Sequence, residues 1–382
     1  MFITDSIHYV GVNDHKTDLF EGQYHVPDGM AYNSYVITDE KIAVMDTVDV
    51  HFTGEWLENV EKTLSGKKPD YLVILHMEPD HSASLSEFIK KYPDVTLVGN
   101  AKTFGLLDQF YPEAPKSERK TVADGEMLSL GAHELTFTFA PMVHWPEVMV
   151  AYESKDKVLF SADAFGKFGA LDVEADWDCE ARRYYFGIVG KYGAQVQKLL
   201  KALSGTDVKI ICPLHGPVLQ GDLSHYLKQY DTWSSYKPEE PGVLIAVASI
   251  YGHTMEAAEK LAAKLEEAGV KTVVADLARE DMAECVEDAF RYDRLVLASV
   301  TYNGGIFPCM ETFINNLTER NYQNRKIGFI ENGSWGPAAR RVMQGMFEKS
   351  KDMAFCETTV TIKSSLKAAD NEAIERLAKE LS

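Results

Sequence analysis

Tyr71-Leu72-Val73-Ile74-Leu75-His76-Met77-Glu78-Pro79-Asp80-His81 is the stretch on which the reading of this chain turns. Its first five residues are an apolar run that predicts a buried strand. Its last six hold four metal-capable side chains, and Ser82 and Ser84 then offer caps for a following helix. A lone His-x-Glu would be explained by a solvated turn. Two carboxylates packed beside two imidazoles in one strand-to-helix loop call for a cation to offset their repulsion.

Three more candidates stand in the same context. His144 follows a predicted strand at Thr136–Ala140, Asp163 follows one at Lys157–Ser161, and His215 follows one at Val208–Cys212. Residues at strand ends can converge on one edge of a sheet. Any one of the three, taken alone, reads better as a satisfied structural residue; the four clusters together do not. The set is four His, two Asp and one Glu, with no thiolate. That is too many ligands for one catalytic zinc and suits two metals sharing a bridging carboxylate, with iron, manganese or zinc as candidates.

Outward from this region the chain changes character. Residues 1–241 hold 22 Lys+Arg and 37 Asp+Glu, while residues 242–382 hold 17 and 21. Ten of the eleven histidines precede residue 242. The stretch Ser234 to Gly242, with two prolines and a glycine, reads as a short stiff linker. The expected division is therefore 1–240 and 241–382. The first part carries early strand-like runs at Tyr32–Ile37 and Lys41–Asp46, with helices predicted at Thr53–Leu64, Ser84–Lys91 and Gly190–Leu203. In the second part Val243–Ala248 is a continuous apolar run, as for a strand buried on both faces. Apolar residues then recur at helical spacing from Thr254 to Ala268. Further strand-like runs at Lys271–Ala275, Leu295–Ser299, Lys326–Ile330 and Thr358–Lys363 alternate with helical ones, which predicts a doubly wound parallel sheet.

Ser249-Ile250-Tyr251-Gly252-His253-Thr254 joins the first of these strands to its helix. Hydroxyls and a glycine at a helix N-terminus make an anion site, or else a plain N-cap. The loop lacks the lysine of an ATP-type phosphate loop and the G-x-G-x-x-G dinucleotide pattern. Two later loops, Ser299–Gly305 and Glu331–Gly336, pair glycines with aromatics beyond strand ends, where a flat ring can be covered.

Composition excludes several classes. The net charge of −19 leaves no charge-driven affinity for nucleic acid or anionic membranes. No apolar run is long enough to span a bilayer, and the N-terminus lacks a signal-peptide pattern. Five cysteines without a C-x-x-C pair argue against a disulfide framework and point to a reduced, cytoplasmic protein.

The second part resembles flavodoxin, because its first loop matches the phosphate motif Ser/Thr-x-Tyr/Thr-Gly-x-Thr. The resemblance implies FMN, with Ser249, Tyr251, Gly252, His253 and Thr254 at the phosphate. Thr301, Tyr302, Asn303, Gly304, Ser334 and Trp335 would surround the flavin ring, although Val300 stands where many relatives have proline. The first part resembles the metallo-β-lactamase superfamily, whose motif is His-x-His-x-Asp-His, with Glu78 here replacing the second His. Glu78 and the flavodoxin module together resemble the flavodiiron, or A-type, flavoproteins. That resemblance implies an αβ/βα four-layer domain holding a non-haem di-iron centre. One iron would take His76, Glu78 and His144, the other Asp80, His81 and His215, and Asp163 would bridge. His25 and Tyr192 match positions near the family's pocket. His8, His15, His51, His133 and His225 show no constellation and read as surface or loop residues.

The implied activity is reduction of O2 to water, of NO to nitrous oxide, or of both. The resemblance also implies a head-to-tail homodimer or a tetramer. The chain shows no rubredoxin-like segment, so a separate donor is expected: rubredoxin, a flavin reductase or a reduced deazaflavin. The rival readings are a di-zinc hydrolase with an appended flavodoxin module, which Glu78 disfavours, and a non-catalytic electron-transfer flavoprotein.

Overall fold

The computed structural model describes residues 2–382, which form two compact units. The first comprises the chain to Tyr185 together with Ala194–Asp231, and the second comprises Phe186–Gly193 and Thr232–Ser382.

The first unit is built on two six-stranded sheets. One runs in the order Ile7–Tyr9, Tyr35–Ile37, Ala43–Met45, Tyr71–Val73, Thr96–Gly99, Glu118–Thr121. The other runs Met127–Ser129, Glu134–Phe139, Met149–Glu153, Val158–Phe160, Ile210–Cys212, Leu219–Gln220. Each begins antiparallel and turns parallel where a helix makes the connection, and the second sheet ends on one more antiparallel pair, Ile210–Cys212 with Leu219–Gln220. The sheets face each other: the Tyr35 ring meets Phe160 edge-on at 5.5 Å, and its hydroxyl donates to Pro213 O at 2.6 Å. Helices Thr53–Leu64 and Leu85–Lys91 bury Trp56 against Phe88, with ring centroids 5.3 Å apart.

The strand-like run expected over Tyr32–Ile37 is two strands, Met30–Tyr32 and Tyr35–Ile37, which join different sheets. The break falls at Asn33-Ser34. The Asn33 amide donates to Pro213 O at 2.8 Å and Gly216 O at 2.7 Å, so its side chain serves the His215 loop. Gly216 has φ +73°, and a Cβ there would lie 2.8 Å from Lys167 Cγ, so the loop needs glycine.

The second unit is a five-stranded parallel sheet. In chain order the strands are Glu240–Ala248, Thr272–Asp276, Tyr292–Tyr302, Lys326–Asn332 and Ala354–Ile362, and they lie in the order 2-1-3-4-5. That is the flavodoxin-type arrangement, with its switch point between the first and third strands. The first strand is almost wholly buried, as its unbroken apolar run predicts. It starts at Glu240, inside the stretch expected to be a linker. Pro241 is accommodated by a register irregularity between Glu240 and Val243. Phe186–Gly193 joins this unit because Phe186 stacks on Phe290 at 3.9 Å and 12°, while Arg320 Nε donates to Phe186 O at 2.7 Å. No described helix is long and apolar enough to cross a membrane.

Candidate metal centre and flavin pocket

His76 and Glu78 lie just past the strand Tyr71–Val73, and a short helix, Pro79–Ser82, carries Asp80 and His81. Pro79 opens that helix, where its missing N–H costs nothing. His144, Asp163 and His215 come from loops of the second sheet, so the seven residues meet at one end of the two-sheet core.

They form two groups. His76, Glu78, His144 and Asp163 have ligand atoms within 4.8 Å of one another, as do Asp80, His81 and His215. Asp163 faces both. Its Oδ2 lies 3.0 Å from His144 Nε2 and 3.4 Å from His76 Nε2, and its Oδ1 lies 3.2 Å from His81 Nε2 and 3.9 Å from His215 Nε2. Glu78 Oε2 stands 3.1 Å from both His76 Nε2 and His144 Nε2. Asp80 Oδ2 stands 3.3 Å from His81 Nε2 and 3.2 Å from His215 Nε2.

The donor chemistry tests whether metals fit. His81 Nε2 and His215 Nε2 point at each other 3.0 Å apart. Both Asp80 carboxylate oxygens and Asp163 Oδ1 are buried without a hydrogen-bond partner. Orphaned acceptors of this kind are costly unless a cation satisfies them. Burial opposes charge on His144, but Asp163 and Glu78 outweigh it and hold the imidazole's pKa up at about 9. Burial likewise opposes charge on Asp163, and the surrounding imidazoles pull its carboxyl well below the usual range. Metal ions would take the place of those protons.

The ligands are held from behind. His76 Nδ1 donates to Glu147 Oε1 at 2.9 Å, and the same oxygen accepts Met77 N at 2.9 Å. His215 Nδ1 donates to Ala31 O at 2.8 Å. Asp46 Oδ1 accepts Leu75 N at 2.8 Å and His76 N at 3.2 Å, which pins the loop backbone; burial pushes its carboxyl up to about 8. Phe20, Tyr32 and Tyr184 ring His215 at centroid distances of 5.4 to 5.9 Å, and Trp145 meets His76 edge-on at 5.4 Å. Sequence reasoning did not single out Asp46, Glu147, Tyr184 or Glu21. Glu21, at the tip of the Leu19–His25 hairpin, faces Glu78; burial and that neighbouring carboxylate push it up to about 7. Position beside the ligand His144 was the only sequence signal for Glu147.

The predicted pocket residues fare differently. His25 is exposed on the hairpin, where its carbonyl accepts from Arg183 at 2.7 Å. Tyr192 is half-buried in a short 3₁₀ turn, Gly190–Tyr192, that belongs to the second unit. Among the contacts described, neither side chain touches the seven-residue cluster. His133, expected to be a surface or loop residue, is wholly buried among polar partners.

In the second unit a cavity of ≈ 710 Å³ opens beyond the C-terminal strand ends. Every residue expected at the flavin lines it except Gly252, and Asn332 and Ser364 join them. Gly252, at φ +90°, is the N-cap of the helix His253–Glu267 and donates its N–H to Ser249 Oγ at 3.1 Å. The helix N-terminus so formed suits a phosphate monoester. Thr301 Oγ1 accepts Ala338 N at 2.9 Å, and Ser364 Oγ donates to Ser334 Oγ at 3.0 Å, tying the ring-side loops together. Tyr251 and Trp335 are 89% and 97% exposed, leaving flat rings free at the rim.

Comparison with known proteins agrees with both sites. The family model of the ODP family beta lactamase matches residues 30–216, and that of flavodoxin matches residues 245–378. An anaerobic nitric oxide reductase flavorubredoxin of Vibrio vulnificus is 28% identical over 95% of this chain and 75% of its own. The rubredoxin oxygen:oxidoreductase of Desulfovibrio gigas superposes with a TM-score of 0.91 at 27% identity, covering 100% of this chain and 98% of that one. The flavodiiron protein of Giardia intestinalis gives 0.88 at 26%, over 99% and 96%. The flavodoxin domain implies FMN, and the likeness to flavodiiron proteins implies a non-haem di-iron centre, for which the two carboxylate–imidazole groups are the candidate ligands. The tandem of modules, the whole-chain likeness and the Glu78-containing ligand set place this chain in the flavodiiron protein family.

Proposed function

We propose that the chain reduces O2 to water, NO to nitrous oxide, or both, at irons held by His76, Glu78 and His144 on one side and Asp80, His81 and His215 on the other. The observation that carries this reading is Asp163, whose two oxygens each face a different group. Held by these residues, FMN would supply electrons singly or in pairs, and two irons would supply the multi-electron redox chemistry that either gas requires.

The chain's own residues do the positioning. Glu147 and the Ala31 carbonyl set the imidazole orientations, so that each Nε2 faces inward. The aromatic ring around His215 excludes water on that side. Tyr184 is kept protonated by burial, reinforced by the Asp163 charge, and so offers an O–H beside a site whose reactions consume protons.

Ser249 to Thr254 would hold the FMN phosphate, with Thr301 to Gly304, Ser334 and Trp335 around the ring. Electrons would come from a separate donor, with rubredoxin, a flavin reductase or a deazaflavin as the chemical options. The exposed Trp335 and Tyr251 supply a flat apolar rim for such a contact. A head-to-tail dimer or a tetramer, bringing one subunit's flavin to its partner's irons, and a cytoplasmic setting in keeping with five cysteines that include no C-x-x-C pair complete the reading. Anaerobic reduction followed by measured O2 and NO consumption under one donor tests it. Flavin reduction without loss of either gas would refute it, as would two zinc and no iron after anaerobic expression.

A further inference from the structure

Asn332 ends the strand Lys326–Asn332, lines the flavin cavity and is 7% exposed. Its amide reaches two other loops of the second unit. Nδ2 donates to Ser364 O at 2.9 Å and, over a longer 3.4 Å, to Thr254 Oγ1, while Oδ1 accepts Ser364 N at 3.2 Å. Ser364, held in this way at φ +69°, donates its own hydroxyl to Ser334 Oγ. One side-chain amide therefore connects the hydroxyl at the helix start, the ring-side loop and the loop that follows the last strand.

The orientation of that amide is fixed by its partners. Ser364 N needs an acceptor and Ser364 O needs a donor, so Oδ1 faces the first and Nδ2 the second. Nδ2 carries two hydrogens, and the second is directed at Thr254 Oγ1. Thr254 is buried, and its hydroxyl oxygen is the acceptor in this contact. Its own hydrogen finds no acceptor among the described residues. Ser249 Oγ is set in the same sense, because it accepts Gly252 N at 3.1 Å and keeps its hydrogen for another partner. Ser249 and Thr254 both line the cavity, so its helix-start end is furnished with donors. Such an end suits a phosphate dianion, which only accepts, better than an alcohol, which must also donate.

We propose that Asn332 is a positioning residue for the flavin phosphate: by donating to Thr254 Oγ1 it leaves the threonine hydroxyl as a donor to the ligand, and so selects the phosphorylated flavin over the unphosphorylated one. The inference rests on the reading of Ser249 to Thr254 as the phosphate site. The effect is one of polarity rather than shape. Aspartate at this position would have nearly the same outline but would set an acceptor opposite Thr254 Oγ1. It would capture the hydroxyl hydrogen and add negative charge where the phosphate brings its own. Alanine would leave the hydroxyl unbiased.

The test takes the full-length chain freed of flavin and titrates it with FMN and with riboflavin, following flavin fluorescence. The quantity compared is the ratio of the riboflavin to the FMN dissociation constant. Asn332→Ala should lower this ratio about threefold, and Asn332→Asp should lower it further. Thr254→Val should lower it as well, and adding Asn332→Ala to that variant should then change it no more. Because Asn332 also clamps Ser364, the comparison is repeated in Ser364→Gly, which holds φ +69° unaided; Asn332→Ala should lower the ratio there too. Equal weakening of both flavins by Asn332→Ala would reveal a clamp with no bearing on the phosphate and overturn the proposal. A lowered ratio in Thr254→Val beside a wild-type ratio in Asn332→Ala would overturn the proposal alone. A wild-type ratio in Thr254→Val would overturn it together with the reading of the phosphate site.

Discussion

The metal centre and the flavin pocket use opposite strategies on related architectures. Both sit in loops beyond strand ends. The candidate metal ligands are carboxylates and imidazoles, nearly buried, with Glu78 and Asp80 the most exposed at 14% and 12% of side-chain surface. The flavin loops offer neutral hydroxyls, amides and glycines around an open cavity, rimmed by exposed aromatics. The first arrangement is electrostatically costly without its ions; the second costs little without its ligand. The fold must therefore hold the metal ligands by second contacts, whereas the flavin loops need only be shaped.

That contrast can be broken most severely at Asp163. Asp163→Asn keeps the shape but removes the bridging charge. Metal analysis should show iron falling from about two per chain to one or none, with gas consumption down at least about a hundredfold. Unchanged iron content and turnover would mean that the bridge is not a bridge.

Next in size is the support behind the ligands. Glu147→Ala removes the acceptor of His76 Nδ1 and of Met77 N, and iron affinity should drop by about 10- to 100-fold. Chelator competition measures the change; an unaltered affinity would show that packing alone orients His76.

Protonation sharpens the same contrast. In metal-free protein the His144 pKa is raised to about 9, so its interaction with Asp163 and Glu78 stabilises the fold fully below the unfolded imidazole's pKa, about 6.5. That contribution is lost as pH rises toward 9. The melting temperature of the metal-free protein should fall across this window, whereas the metal-loaded protein should lack this dependence. Metal uptake should release protons, and apparent affinity should rise with pH over the same range. Equal pH profiles for the two forms would contradict the assignment.

The smallest effect belongs to the flavin side. Thr254→Val removes a hydroxyl at the start of the helix His253–Glu267 and should weaken FMN binding by about 1 kcal/mol. Fluorescence titration of the flavin reads this directly, and an unchanged dissociation constant would place the phosphate elsewhere.

Much of this was legible in the chain, for local reasons. The unbroken apolar run Val243–Ala248 announces a strand buried on both faces, and it is one. His76 to His81 announce a metal loop because four ligand types crowd six positions. The Asn33-Ser34 break was not called within its strand-like run, because its cause lies about 180 residues away in the His215 loop. The burial of His133 was hidden for the same reason: its partner Ser6 is 127 residues distant.

By itself, then, the sequence determined two α/β modules, the ligand types carried at the strand ends, and a phosphate-type loop at a helix N-terminus. These follow from periodicity and neighbouring residues, which act within a few positions. Only the tertiary structure decided which oxygen of Asp163 faces which group, that Glu147 and Asp46 stand behind the metal loop, and that Phe186–Gly193 folds with the second unit. Those pairings join residues remote in the chain. They are selected by packing and by satisfaction of buried polar groups, quantities that exist only once the sheets have closed on one another.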